Sequence, residues 1–352
     1  MPRKLPVRKW LKTFKCWLDN SVRGVRHPFY ASFKVTNRCQ FTCSFCNIWK
    51  MDKVDLDTVA MIEILRNLCR SSVLLVSFEG GEPLLRKDIL QLLQEAHRQP
   101  FYVMFTTSQK NIGKYPWREY SRYIDFLEIS IDEGHDNLKL FHELKAMCAF
   151  GMDVTVQTVV REEDLAFMEE KVLACIDAGA RLLLMPAVIL ENALHAFPPF
   201  QKFEAEVKRL KRKYPGAIIT PDGYFRRVRK KRGGCQPDSL VINADGTLAY
   251  PCRPREDRGI RMDETDLTGY LRTPEAKDDR KVMAGCERQC GWYQYFATPA
   301  FSSLRDLPDA IYPYLRSFLG LKNPRKTALA GRSQGAIFTG PGSMRRLGKT
   351  PR

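Results

Sequence analysis

The sequence has 352 residues, long enough to bury a large core, and its composition of 44% hydrophobic and 28% charged residues is that of a globular enzyme. No apolar run approaches the roughly 20 residues that cross a bilayer, and the longest, 182–190, is interrupted by Pro186, so we expect no membrane span. The basic N-terminus lacks an apolar core followed by small residues, which predicts a cytoplasmic protein. Eleven cysteines, three of them within eight residues, then indicate metal or redox chemistry.

The formal net charge of +17 is concentrated in three blocks. Residues 1–18 carry six Lys or Arg and no acid, residues 322–352 carry eight and no acid, and residues 208–232 carry eleven against the single Asp222. Such blocks attract polyanions: an anionic membrane surface, a nucleic acid or an acidic peptide. The alternative is a set of solvated basic tails, and the Gly, Ser and Pro content of the C-terminal block predicts disorder there.

The first predicted element is an amphipathic helix over residues 9–22. Its lysines lie away from an apolar face made of Trp10, Leu11, Phe14, Trp17 and Leu18. Tryptophan beside lysine is typical of a helix that lies in a lipid interface. A helix packed across one end of a domain is the second interpretation, and the sequence does not choose between them.

Six short apolar strands alternate with helical patterns from residue 30 to residue 188. The strands are predicted at residues 30–36, 73–78, 101–106, 126–131, 154–160 and 182–188. Strands that alternate with helices predict a parallel α/β sheet, which either curves into an incomplete barrel, here a partial (β/α)6 TIM-like barrel, or stays open. In such barrels the chemistry lies at the C-terminal ends of the strands.

The alternation stops near residue 200. A polar helix leads to a β-hairpin signal over residues 239–250, where Asp245 and Gly246 separate two apolar runs. We therefore divide the chain into a basic N-terminal helix (1–28), a partial barrel (29–199), a small α+β module (200–300) and a C-terminal part (301–352). The last part combines an apolar stripe at helical spacing, bent or broken at Pro313, with a basic tail predicted to be disordered.

Three thiols, those of Cys39, Cys43 and Cys46, lie directly after the first predicted strand. Thiolates are the ligands that iron-sulfur clusters select, and a cubane takes four of them. Three ligands therefore leave one iron open to a small molecule, as a catalytic metal keeps an unfilled position. Zinc and unligated core cysteines are the less favoured alternatives.

The spacing Cys39-x-x-x-Cys43-x-Phe45-Cys46 resembles the signature of the radical S-adenosylmethionine (radical SAM) enzymes, including the aromatic residue before the last cysteine. A second segment, which closes the second strand, resembles the motif with which this family meets the amino group of SAM. Its residues are Gly80, Gly81, Glu82 and Pro83. Glycines let the backbone approach a ligand closely, and a carboxylate suits an ammonium group.

Ser130 and Asp132, at the end of the fourth strand, resemble the family's segment near the SAM ribose, and Phe45 is assigned to the same cofactor site. His135 fits this segment or a surface turn equally well. The resemblance implies a [4Fe–4S] cluster on the three cysteines, an electron donor such as ferredoxin or flavodoxin, and cleavage of SAM to a 5′-deoxyadenosyl radical that abstracts hydrogen from a substrate. Catalytic residues beyond the cofactor site are not identified.

A second cysteine set lies in the α+β module: Cys235, Cys252, Cys286 and Cys290. Four thiols can complete a cubane, and the arrangement resembles the auxiliary-cluster modules of this family, the shorter twitch form more than the SPASM form. A four-cysteine zinc site is the alternative. The isolated cysteines, which we expect to be buried apolar residues, are Cys16, Cys69, Cys148 and Cys175.

Several substrate classes fit the sequence. The N-terminal helix and the basic termini favour a lipid, isoprenoid or tetrapyrrole-type intermediate and peripheral attachment at the cytoplasmic face of a membrane. A peptide modified after translation is the alternative that the auxiliary module implies. A nucleic acid is unlikely on the sequence, since Tyr224 and Phe225 are thin evidence for base stacking. If the protein is not an enzyme, the sequence fits a non-catalytic iron-sulfur electron carrier or scaffold. The oligomeric state is not predicted.

Overall fold

The structure, a computed structural model, describes residues 7–23, 27–52, 54–188, 198–253, 259–288 and 290–318. The predicted disordered tail after residue 318 lies outside the described residues. No helix in the described ranges is long and apolar enough to traverse a bilayer.

Helices and strands alternate along the first half of the chain. The strands are β1 (Tyr30–Thr36), β2 (Leu75–Gly80), β3 (Tyr102–Thr107), β4 (Phe126–Ser130), β5 (Asp153–Val160), β6 (Arg181–Pro186), β7 (Ser239–Ile242) and β8 (Leu248–Ala249). The helices are α1 (Val7–Ser21), α2 (Thr58–Arg70), α3 (Ile89–Arg98), α4 (Trp117–Tyr120), α5 (Leu144–Cys148), α6 (Met168–Ala178), α7 (Phe200–Lys213), α8 (Asp222–Val228), α9 (Leu267–Tyr270), α10 (Pro274–Ala284), α11 (Tyr293–Ala297) and α12 (Leu307–Phe318).

One sheet carries all eight strands, in the order β6-β5-β4-β3-β2-β1-β7-β8. Strands β1 to β6 pair in parallel, as predicted, and the sheet stays open. The predicted hairpin forms from β7 and β8, and β7 pairs in parallel with β1. The α+β module and the barrel therefore share a continuous sheet, a connection that the sequence did not indicate.

The two faces of the sheet differ in chemistry. The face under the helices is apolar and fully buried, with Phe33, Phe78 and Phe105 at its centre. The side chains that alternate with these along each strand point to the other face of the sheet, toward the interior. Several of them are polar, including Lys34 and Glu79, and line an internal cavity. Parallel strands are usually apolar on both faces, so polar inward residues mark the interior as a binding site rather than a packed core.

Helix α1 closes the N-terminal end of the barrel. Lys9 donates to Asp125, directly before β4, at 3.0 Å, and Asn20 exchanges hydrogen bonds with the backbone of His27, just before β1. Helix α1 thus packs across one end of the domain, as the second interpretation predicted, and it does so through polar side chains. Helix α12 continues through Pro313 and packs beside β6, where Arg181 stacks on Tyr314 with its guanidinium 4.5 Å from the ring centre.

Candidate active site

The three clustered cysteines lie in the loop that follows β1. Cys43 is buried, and Cys39 and Cys46 are half-buried. The Cys46 amide donates to the Cys43 carbonyl oxygen at 3.2 Å, and the same oxygen accepts from the indole of Trp49 at 3.3 Å. Burial raises the pKa of Cys39 to about 11 and also raises the pKa of Cys46. A metal cluster bound here must therefore displace thiol protons, as thiolate ligation generally requires.

The glycine turn after β2 is hydrogen-bonded to the cysteine loop. The Gly81 amide donates to the Thr36 carbonyl at 2.7 Å, and the Glu82 amide donates to the Arg38 carbonyl at 2.8 Å. A Cβ on Gly81 would lie 2.0 Å from the Arg38 carbonyl oxygen, closer than real contacts allow. Gly80 has a φ of +134°, a conformation that favours glycine. The two predicted motifs are thus one structural unit at the C-terminal ends of β1 and β2.

Glu82 is fully buried beneath this turn. Its carboxylate accepts hydrogen bonds from the Thr107 hydroxyl at 2.8 Å, the Ser108 amide at 2.9 Å and the Leu84 amide at 3.1 Å. Burial raises its pKa, and these three donors oppose the rise. The threonine and the serine lie at the end of β3 and hold this carboxylate in place. Pro83 begins the short 3-10 helix that follows.

Asp132 and His135 form a buried pair at the end of β4. Asp132 Oδ1 accepts from the His135 amide at 2.9 Å and lies 2.8 Å from its Nδ1. Burial alone would raise the pKa of Asp132, but His135 holds it below its ordinary value; Asp132 in turn raises the pKa of His135 to about 10 against the effect of burial. The His135 ring packs edge-on against Phe41 and Phe45, at 5.4 and 5.5 Å. His135 does lie in a turn, but its side chain is only 12% exposed and lines the cavity, so the turn does not place it at the surface.

Ser130, the last residue of β4, is buried and lines the same site. Its carbonyl accepts from the Asn137 side chain at 2.7 Å, and that amide also holds the Asp132 backbone. The structure places the residues assigned from sequence to the cofactor site near the C-terminal ends of β1, β2 and β4. Phe45, Gly80, Gly81 and Ser130 line the opening there, whereas the side chains of Glu82 and Asp132 are fully buried.

An internal cavity of about 730 Å³ runs from this opening through the barrel. Cys39, Cys43 and Cys46 line one end, and Trp17 and Asn20 of α1 line the other, with mostly apolar walls between them. Residues of α11 and α12, including Tyr293 and Tyr314, cover the side left open by the sheet. The volume is that of a site for a small molecule or for a peptide side chain together with a cofactor.

Comparison with known proteins supports this geometry. The model of the Radical SAM superfamily matches residues 33–185. The chain is 24% identical over 257 residues to a PqqA peptide cyclase from Bradyrhizobium diazoefficiens, which covers 65% of this chain and 67% of that protein. Residues 33–185 thus form a radical SAM domain. The prediction of an enzyme is thereby confirmed, and the family implies SAM and a [4Fe–4S] cluster as its cofactors.

Solved structures share the fold of this radical SAM enzyme. Streptococcus suis SuiB bound to S-adenosylmethionine superimposes with a TM-score of 0.61 at 16% identity, covering 74% of this chain and 72% of SuiB. SuiB bound to its precursor peptide SuiA gives 0.60 at 16% identity, with 79% and 74% covered. The structure of anSMEcpe with bound AdoMet and Cp18Cys peptide gives 0.59 at 15% identity, with 83% and 95% covered. The predicted incomplete barrel is confirmed.

Two carboxylates of the radical SAM barrel were not predicted as site residues. Glu79 on β2 and Glu128 on β4 line the cavity, and burial raises the pKa of each to about 7. Glu79 accepts from the Ser32 hydroxyl, and Glu128 accepts from the Thr106 hydroxyl at 3.3 Å. Within the described ranges neither has an ion-pair partner. An acid inside a buried strand was the sequence signal that could have identified both.

The second cysteine set gathers in the C-terminal part of the enzyme. Burial and, to a smaller extent, the neighbouring thiols of Cys286, Cys290 and Cys252 together raise the pKa of Cys235 to about 12. The Gly233 amide donates to the Cys286 carbonyl at 3.1 Å, which joins the two ends of the set. Across the described residues, no three His, Cys, Asp or Glu side chains converge as closely as one metal ion requires. Of the isolated cysteines, Cys16 and Cys175 are buried, and Cys69 and Cys148 are half-buried.

Most basic side chains of the block at residues 208–232 form ion pairs with acidic residues of the same chain. Glu169 binds Arg209 at 2.6 Å and also Lys213, while Asp306 pairs with Arg226 and Arg227. Burial tends to raise the pKa of Glu169, but Lys213, Tyr214 and Arg209 bring it down to about 2. Most of the block therefore supports the fold, while Lys231 and Arg232 at its end are exposed. Tyr224 and Phe225 are completely buried, so their suggested stacking on bases is wrong.

Proposed function

We propose that this radical SAM enzyme modifies a peptide by abstracting hydrogen from one of its side chains. The observation that carries the proposal is the large, mostly apolar cavity that leads from the cysteine loop into the barrel. Similar proteins also support the proposal. A PqqA peptide cyclase matches most of the chain, and SuiB and anSMEcpe, whose structures contain peptides, share the fold of this chain. A peptide is therefore better supported than the lipid or pigment intermediate that the sequence favoured.

We assign the cluster to Cys39, Cys43 and Cys46. Three thiols in one loop fit a cubane with one open iron, and the glycine turn packs against this loop too closely to accommodate a Cβ. Bound together, the cluster and SAM supply a 5′-deoxyadenosyl radical that abstracts hydrogen from the substrate. The protein binds the cofactor, orients it and excludes water.

The remaining cofactor contacts follow from position. The backbone of Gly80 and Gly81 lines the cavity and suits the amino-acid part of SAM. We assign the Glu82 carboxylate and Pro83, which are buried beneath this backbone, to the same part of the site because a carboxylate attracts an ammonium group. Ser130 and Asp132 lie at the end of β4, where they can meet the ribose. Phe45 packs at the same opening against His135.

We also propose an auxiliary [4Fe–4S] cluster on Cys235, Cys252, Cys286 and Cys290. The proposal is supported by their mutual electrostatic influence in one small region. The enzyme further needs a low-potential electron donor such as ferredoxin or flavodoxin. A cytoplasmic location is part of the same proposal. Peripheral attachment at the membrane remains a prediction that rests on α1.

A lipid-type substrate stays the second candidate because the same cavity is apolar and reaches α1. The two are distinguished with anaerobically reconstituted protein, SAM and a reductant, to which either the small-peptide fraction or the total lipid extract of the source cells is added. We expect 5′-deoxyadenosine to form, and its yield to rise with the peptide fraction, with a mass change in one peptide. Stimulation by lipid alone would favour the second candidate, and no 5′-deoxyadenosine at all would indicate a carrier.

A matched pair of variants completes the experiment. Cys43→Ala removes one thiol of the loop and should abolish 5′-deoxyadenosine formation. Cys69→Ala removes a half-buried thiol outside both sets and should leave it unchanged. Equal activity of the two variants would contradict the assignment of the cluster.

A further inference from the structure

Helix α1 presents the N-terminal part of its apolar face to the outside of the molecule, whereas Trp17 lines the internal cavity. Val7, Trp10, Leu11 and Phe14 are 73%, 59%, 66% and 55% exposed, and they fall at positions i, i+3, i+4 and i+7 of one helical stripe. We call these four residues the α1 stripe. A surface helix normally turns such a stripe toward the core, so its exposure requires an explanation.

The inward face of α1 is polar and is fixed by specific bonds. The Lys9 side chain is 5% exposed and forms an ion pair with Asp125 at 3.0 Å. Lys12 Nζ donates to the Cys69 carbonyl oxygen at 3.1 Å. Rolling the helix to bury the α1 stripe would break these bonds and leave buried polar groups without partners, which is costly. The outward orientation is therefore built into the fold.

The charges beside the α1 stripe are positive. Arg8 and Lys15 are exposed on the same helix, and Arg3 and Lys4 precede it in the sequence. The acid of the helix, Asp19, is bound to Arg23 at 2.8 Å. Exposed tryptophan and phenylalanine flanked by cationic residues suit the boundary between lipid headgroups and acyl chains. Tryptophan, phenylalanine and arginine are also common at protein–protein interfaces, where lysine is depleted, so the lysines rather than the aromatic residues favour a membrane over a protein partner.

We infer that the α1 stripe, with Arg8 and Lys15, docks the enzyme on the surface of an anionic membrane. Because α1 closes the N-terminal end of the barrel, this docking turns the cysteine loop, at the opposite end of the strands, away from the lipid. The loop stays accessible from the aqueous side, where a soluble electron donor and a peptide can reach it. The docking does not depend on which substrate the enzyme modifies.

The inference is tested by flotation of the full-length, cluster-loaded protein with vesicles of phosphatidylcholine, alone or mixed with phosphatidylglycerol. We expect binding to the mixed vesicles that weakens with added salt and is at least tenfold weaker without phosphatidylglycerol. Trp10→Ser with Phe14→Ser should reduce the binding at least tenfold, because both side chains insert. Arg8→Gln with Lys15→Gln should reduce it by about an order of magnitude at low salt.

The matched control is Val59→Ser with Leu304→Ser, which removes two apolar side chains that are 77% and 62% exposed elsewhere on the surface. This variant should bind vesicles like the wild type. Failure of the wild type to float, or equal loss in the control and the stripe variant, would overturn the inference. So would a concentration-dependent dimer, seen by sedimentation, that the stripe substitutions dissociate, since the occupant would then be a second copy of the chain.

Discussion

Glu128 lies inside the barrel, where burial disfavours its charged form. Replacing Glu128 by Gln tests the cost of this burial. Burial raises the Glu128 pKa from its ordinary value of 4.5 to about 7, and the nearby charge of Glu79 contributes. A difference of about 2.5 in pKa corresponds to about 3.4 kcal/mol at a pH where the side chain is ionised. Cavity water and the coupling to Glu79 lower this figure, so we expect about 1–3 kcal/mol.

The sign follows from proton binding. The folded protein holds the Glu128 proton to higher pH than the unfolded chain does, so this group's contribution to stability is present below about pH 4.5 and is lost as pH rises through about 7. Glutamine cannot ionise, keeps a carbonyl that accepts from Thr106, and so avoids the loss. Glu128→Gln should therefore gain stability relative to the wild type between about pH 5.5 and about pH 8.

The assay is thermal unfolding of the anaerobic protein at these two pH values. With an unfolding entropy of about 2.1 cal/mol/K per residue, the expected gain corresponds to a rise in Tm of about 1–4 °C at the higher pH. The control Glu162→Gln, at an exposed carboxylate, should show the same difference from wild type at both pH values. A Glu128→Gln difference that does not change with pH would refute the reasoning.

Three further changes test the rest of the account. Gly81→Ala places a Cβ 2.0 Å from a backbone oxygen of the cysteine loop, so SAM cleavage should fall at least tenfold. The control Gly113→Ala, whose Cβ would have its nearest contact at 3.6 Å, should retain SAM cleavage. Equal activity of the two variants would contradict the role of the glycine turn. Cys235→Ala with Cys252→Ala should remove about half of the bound iron, whereas unchanged iron with lost zinc would identify a zinc site. Glu169→Gln should lower the free energy of unfolding by about 1 kcal/mol near neutral pH. Measured by Tm, this difference from the wild type should vanish as pH falls from about 4.5 to about 2. A difference that stays constant with pH would argue against the ion pairs of Glu169.

The position of the candidate site residues was predictable because they follow parallel strands of one sheet. Cys39 follows β1, Gly80 ends β2 and Asp132 follows β4, and the C-terminal ends of parallel strands meet at one edge of a sheet. Strand positions were correct to within two residues for the same reason, since apolar runs bounded by turns define them.

The sequence could not indicate how distant segments neutralise one another. The basic block looked like a free cationic surface, yet its partners Glu169 and Asp306 lie far away along the chain. The inward face of α1 likewise depends on Asp125 and on the backbone at Cys69, which no helical periodicity reports. Amphipathicity alone identifies two faces without saying which one the fold covers.

The central claim is that three thiols hold a cubane whose remaining iron binds SAM. It is tested most directly by electron paramagnetic resonance of the dithionite-reduced protein that carries Ala at all four cysteines of the second set, recorded with and without SAM. We expect a [4Fe–4S]⁺ signal whose shape changes when SAM is added, because the cofactor coordinates the open iron. A missing cubane signal, or one that is identical with and without SAM, would contradict the account.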